Sequence, residues 1–142
     1  MEVSDVRRRL RAALEEARRR AAERRGRRDE ATRAWERLLP EVAVPAFHML
    51  ASALTGEGHR FTVVTPGAAV RLSPERSSAE FIELALDSER DDPALVLRST
   101  RGRGRRTVSN ERVLREGAAF AGLGEEDIIT ALLEELIPFI ER

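Results

Sequence analysis

Apolar and polar residues follow a helical period over the first forty residues of the chain. From Ser4 to about Leu39 the sequence is almost entirely arginine, alanine, leucine and glutamate, which are strong helix formers, and acid–base pairs recur four residues apart. Pro40 is predicted to end this helix, because a residue that precedes proline avoids helical backbone angles. Continuity through Gly26 stays open, since glycine costs about 1 kcal/mol inside a helix.

The apolar stripe along this helix is interrupted in the middle. Sites a and d of a coiled-coil heptad are apolar at both ends of the helix, while Arg20, Arg24 and Arg27 occupy them in between. This interruption disfavours a long parallel coiled coil and favours antiparallel or crossed pairing of short apolar ends. A helix of roughly 50 Å exceeds the width of its own domain, so we expect its N-terminal end to contact another chain. The residues expected to do so, called the predicted seam, are Val3, Val6, Leu10, Ala13 and Ala17.

The middle of the chain changes from a helical period to a period of two. Val42–Leu54 predicts a short buried helix. Four alternating segments then predict the strands of an antiparallel meander, because the connections between them are short. These strands begin near Phe61, Ala68, Glu80 and Ala94. The stretch 107–114 is left open between an edge strand and a short helix.

A second amphipathic helix is predicted at the C-terminal end, where Pro138 is expected to kink or end it near Ile137. Together these elements predict an α+β fold: a long N-terminal helix, a short buried helix, a four-stranded antiparallel β-meander and a C-terminal amphipathic helix. The predicted division is a protruding, dimerising helix over residues 1–39 and a compact α+β domain over residues 40–142.

Charge is distributed unevenly although the net charge is zero. Residues 1–40 hold thirteen arginines against eight acids, whereas residues 116–142 hold one arginine against seven acids. The basic and acidic ends are expected to contact each other, within or between chains. Cysteine is absent, which excludes disulfides and thiolate chemistry. No signal peptide or membrane-spanning run is predicted, so we expect a cytoplasmic protein that does not bind a membrane.

Candidate chemistry is sparse. His48 and His59 lack the further ligands that a metal site needs, and no serine-nucleophile or phosphate-loop motif is present. Glu83 and Asp87 share a strand face that alternation assigns to the solvated side of the sheet. The sequence therefore predicts no catalytic residue, no metal and no cofactor, and the protein is expected not to be an enzyme.

A basic segment at the end of the fourth predicted strand is the strongest functional signal outside the helix. It can follow a phosphate backbone, although aromatic residues for base stacking are missing beside it. The alternative interpretation is a flexible hairpin tip that meets the acidic C-terminal helix. The candidate contacts to nucleic acid or another anion are Arg98, Arg101, Arg103, Arg105 and Arg106.

These patterns predict a non-enzymatic interaction or scaffold protein that forms a homodimer through its N-terminal helix. Arginine-driven binding of nucleic acid is the alternative function. No small-molecule partner is indicated by any motif in the sequence.

Overall fold

A computed structural model describes residues 1–141, and for Ala118 and Ala119 it describes the backbone only. The chain folds as one long N-terminal helical segment, an antiparallel sheet of five strands and a C-terminal helix. The predicted α+β class is therefore confirmed, with one strand more than predicted. Arg142, the last residue of the predicted compact domain, lies outside the described residues.

The N-terminal helix does not end at Pro40. Helix α1 (Val3–Leu38) passes into a π-helical turn (Leu39–Ala43) and then directly into helix α2 (Val44–Gly56). The predicted end at Pro40 is wrong because this wide turn bonds each N–H to a carbonyl five residues back. It holds one residue more than an α-helical turn, so a proline without an N–H is accommodated there.

The helical segment is also unbroken at Gly26, where an added Cβ would meet no atom within 4 Å. The continuous segment Val3–Gly56 has 54 residues, and one 18-residue window of it has a mean hydropathy of 1.3. By length and composition alone this window is apolar enough to cross a membrane, contrary to the prediction from sequence. It is weak evidence, because the core helix of a soluble protein meets the same criterion; 39% of the window is buried.

The sheet is a meander in which every strand pairs in antiparallel orientation with its neighbour in sequence. A register shift lies between Leu95 and Val96, where the fourth strand pairs with the fifth. The stretch 107–114 forms most of that fifth strand, which decides the open alternative in favour of an edge strand. The strands are β1 (Phe61–Val64), β2 (Ala69–Pro74), β3 (Phe81–Asp87), β4 (Ala94–Arg103) and β5 (Arg106–Glu116).

The helices cover one face of the sheet. A 3₁₀ turn (Gly117–Gly122) follows β5 and leads to helix α3 (Glu125–Glu141), which continues through Pro138 instead of ending at Ile137. Helix α2 contacts β1 and β2, while α3 contacts α2 and β3. The largest side chains of the core between these layers are Trp35, Phe47, Leu72, Ile82, Leu84, Leu95, Phe120, Leu132 and Phe139.

Candidate functional site

The N-terminal part of α1 presents apolar side chains to solvent. Val3 is 73% exposed, Leu10 55% and Leu14 43%. All five residues of the predicted seam are exposed. The buried residues of α1 are confined to its last turns, from Ala31 to Leu38.

The exposed apolar side chains follow a slightly different path from the predicted seam. The seam omits Leu14 and Ala21, because a heptad register that contains Val3 and Val6 does not include them. Leu14 lies four residues after Leu10, one turn further along the same side of the helix. The exposed stripe of α1, as the term is used below, consists of the exposed residues Val3, Val6, Leu10, Leu14 and Ala17, together with the partly buried Ala21.

The C-terminal end of α1 is fixed to the body of the protein by two hydrogen bonds. The Arg27 Nε donates to the carbonyl oxygen of Asp91 over 3.2 Å. The Trp35 Nε1 donates to the carbonyl oxygen of Ala68 over 2.7 Å, and this indole is 2% exposed. Trp35 follows Ala17 by about five helical turns, so the exposed stripe lies on the side of the helix that is buried further on.

Ion pairs occupy one flank of the exposed stripe. Glu16 accepts hydrogen bonds from Arg19 and from the Arg20 Nε, the latter over 2.9 Å. Arg19 also bonds Glu23 over 2.6 Å. The hydrogen bond from Arg19, followed by that from Arg20, lowers the pKa of Glu16 from 4.5 to about 2.

The five candidate arginines near the β4–β5 hairpin do not form one group. The Arg98 Nε donates to Glu111 over 3.0 Å, and its Nη1 lies 3.6 Å from Glu83. The hydrogen bond to Glu111 raises the pKa of Arg98, and its charge is already compensated. The hairpin tip keeps four arginines that form no ion pair with residues 1–141, namely Arg101, Arg103, Arg105 and Arg106.

The hairpin tip lies beside the C-terminal end of α3. An open pocket of about 490 Å³ separates them, lined by Arg101–Gly104 on the hairpin and by Pro138 and Glu141 on the helix. The tip and the helix therefore line one pocket, while no ion pair joins the tip arginines to α3 within residues 1–141.

Ion pairs join the acidic helix α3 to β5. Arg112 reaches Glu134 at 3.0 Å and Glu135 at 2.7 Å, and Arg115 lies 3.7 Å from Asp127. Within the described part of the chain no ion pair joins α3 to α1, so the contact expected between the basic start and the acidic end is not formed there.

The sheet face opposite the helices carries a ladder of alternating charges. The register pairs Arg71 with Glu83, Glu83 with Arg98, and Arg98 with Glu111, across four successive strands. Glu83 lies on the face away from the helices, as alternation predicts, but it is only 6% exposed, accepts a hydrogen bond from Arg71 and lies beside Arg98. Opposite charges on adjacent strands stabilise one another, and each carboxylate in this ladder has an arginine partner.

Catalytic and metal-binding geometry is not evident in the described residues. Among residues 1–141 no group of three or more His, Asp or Glu side chains is arranged to hold a metal ion. His48 and His59 are both exposed. Comparisons with protein-family models, with curated proteins and with solved structures gave no match.

Proposed function

We propose that this protein is a non-enzymatic interaction or scaffold protein that acts as a homodimer through α1. The exposed stripe is the observation that carries the proposal. It is a row of apolar side chains, about one in every turn, on a part of the helix that is not buried against any other element of the described residues. The free energy falls when another apolar surface covers such a stripe and removes its side chains from water.

The order of side-chain sizes along the stripe favours a second copy in antiparallel orientation. The larger residues, Leu10 and Leu14, come first, and the smaller ones, Ala17 and Ala21, follow. Antiparallel pairing sets Leu10 against Ala21 and Leu14 against Ala17 of the partner, twice by symmetry. Each of these four layers then contains one large and one small side chain, which fills space evenly. In parallel pairing, alanine would face alanine and leave a gap.

The same alignment sets Val3 against Arg28 of the partner, whose aliphatic stem can cover the valine while the guanidinium stays in water. The stripe is short and its side chains are small, so the buried area falls below the standard interface of about 1,600 Å². We therefore expect a dimer of roughly micromolar affinity.

Sedimentation equilibrium with a double variant tests the dimer. Leu10→Gln with Leu14→Gln preserves helix propensity and removes the two largest side chains from the interface, so it should give a monomer with an unchanged circular dichroism spectrum. The matched control is Leu133→Gln with Ile137→Gln, which changes two equally exposed apolar residues on α3 and should leave the dimer intact. A wild-type chain that is monomeric at hundreds of micromolar, well above the expected affinity, contradicts the proposal, as does a dimer lost only in the control.

Single cysteines test the orientation cleanly, because the chain has none of its own. A chain with Val3→Cys mixed with a chain with Arg28→Cys should form a mixed disulfide under mild oxidation. Val3→Cys alone should not cross-link, since in an antiparallel pair its two copies lie about 38 Å apart, far beyond the reach of a disulfide. Efficient cross-linking of Val3→Cys to itself would indicate a parallel pair.

Binding of nucleic acid at the hairpin tip is the second candidate function. It is supported by the exposed side chains of Arg103, Arg105 and Arg106, which have no ion-pair partner in the described residues. Arg98 is left out of this candidate site, because Glu83 and Glu111 compensate its charge. Replacing the four tip arginines by glutamine should abolish salt-sensitive binding if the tip is the binding site.

A further inference from the structure

Four arginines form a column along one flank of the exposed stripe. Arg7, Arg11, Arg18 and Arg25 are spaced by four and then seven residues, which places them at nearly the same angle around the helix axis. The column, called the arginine column below, extends over about 27 Å. The side chains of its members are exposed.

The arginine column differs from the opposite flank in its pairing. On the opposite flank Glu16 binds Arg19 and Arg20, and Glu23 binds Arg19. In contrast, no member of the column forms an ion pair with any residue in 1–141. These four guanidinium groups keep all of their donors available.

Antiparallel pairing of α1 brings the two columns of a dimer together. Arg7 then lies near Arg25 of the partner, and Arg11 lies near Arg18 of the partner. Eight like charges line one side of a helix pair whose axes are about 8–10 Å apart. Their mutual repulsion opposes dimerisation, and a polyanion bound along this side would remove that repulsion.

We propose that the α1 dimer binds the phosphate backbone of a duplex nucleic acid along its paired arginine columns. This inference rests on the proposed dimer. Arginine presents a planar fork of donors that matches phosphate, and a linear row of arginines fits a repeating anion better than a single small one.

A duplex suits the surface better than a single strand or a membrane. Proteins that hold single strands stack the bases on aromatic side chains, and α1 has none before Trp35. Amphipathic helices that bind anionic membranes insert large apolar residues such as Trp and Phe. The exposed stripe has only Val, Leu and Ala, and in the dimer these are covered.

The test compares two variants that remove the same charge from different places. One replaces Arg7, Arg11, Arg18 and Arg25 by glutamine, which keeps helix propensity. The other replaces the four hairpin-tip arginines by glutamine. Binding of a random-sequence DNA duplex of about 20 base pairs is measured over a range of salt concentrations, and the oligomeric state of each protein is measured by sedimentation.

The column variant is expected to remain a dimer, and a tighter one, while its affinity for the duplex falls on the order of 100-fold and the salt dependence becomes shallower. The tip variant is expected to change affinity less than about tenfold. Wild-type protein should not bind vesicles that contain anionic lipid under the same conditions.

Each other result overturns the inference. If the wild-type protein is a dimer that does not bind the duplex at low salt, the inference fails and the proposed function stands. If the wild-type protein is a monomer, both fail. Equal losses in the two variants would indicate unspecific charge attraction, a loss in the tip variant alone would move the site to the hairpin, and binding to vesicles but not to the duplex would identify a membrane surface instead.

Discussion

The two halves of α1 have the same apolar face in different surroundings. In the C-terminal half, Trp35 and Leu38 are buried in the core. In the N-terminal half, Leu10 and Leu14 on the same side of the helix are exposed. Arginine, alanine, leucine and glutamate predominate in both halves. Position relative to the sheet, rather than the helical pattern, therefore decides which residues stabilise the fold and which are available to a partner.

The largest difference between the halves is expected in the free energy of unfolding. Trp35→Ala removes a buried indole and its hydrogen bond to Ala68, and should cost about 3–5 kcal/mol. Leu10→Ala, on the exposed side, should change the stability of the monomer by less than about 0.5 kcal/mol. Urea unfolding at a protein concentration below the dissociation constant of the dimer measures both changes in stability. Similar losses in the two variants would mean that the N-terminal half of α1 packs against the rest of the protein, which would contradict the exposure of Leu10.

A smaller effect is expected at the junction of the halves. Gly26→Ala introduces a methyl group that meets no atom within 4 Å and should stabilise the helix by about 1 kcal/mol. Exchange of the backbone amide hydrogens upstream of residue 26 should slow by about fivefold, because local opening of the N-terminal half becomes less favourable.

The control for this substitution is Gly67→Ala in the turn before β2. Gly67 has a φ of 58°, a left-handed conformation that costs a residue with a side chain about 1–2 kcal/mol. Gly67→Ala should therefore lower the free energy of unfolding while Gly26→Ala does not. Faster amide exchange in Gly26→Ala would indicate that the two halves are joined by a hinge.

The smallest effect is a pH dependence confined to the N-terminal half. The pKa of Glu16 is lowered from 4.5 to about 2 by Arg19 and Arg20, so its ion pairs stabilise the helix fully above pH 4.5. This contribution is lost as the pH falls through about 2. A carboxyl titration followed by NMR measures the pKa directly, and high salt should weaken the shift because the groups are exposed. A Glu16 that titrates near its usual value would show that the pairs are not formed in solution.

Elements with one apolar face were predictable from the sequence. In β3, Ile82 and Leu84 alternate with Glu83, and both are fully buried in the core as that alternation predicts. The sequence does not distinguish a strand from a helix over β5, because this strand contacts α3 mainly through polar side chains. Arg112 binds Glu134 and Glu135 there, and such contacts leave no period of apolar residues to detect.

The low exposure of Glu83 and the place of Leu14 in the exposed stripe depend on features that the sequence pattern does not contain. Whether Glu83 is buried depends on which residues of the neighbouring strands stand beside it, namely Arg71 and Arg98. That pairing depends on the register of three strands. The alternation of polar and apolar residues within β3 alone does not determine this register. A strict heptad repeat omits Leu14, because the apolar residues of α1 follow the wider spacing of a straight helix.

The π-helical turn sets the rotational phase between the two helices that it joins. Each residue of a regular helix advances about 100° around the axis. On that count the buried face of α2, marked by Phe47 and Leu50, would be turned about 90° from the face marked by Trp35. The additional residue in the wide turn removes most of this offset, so both helices direct their apolar side chains to one core. The wide turn is thus equivalent to a one-residue insertion between α1 and α2, and it aligns the two apolar faces on the same side.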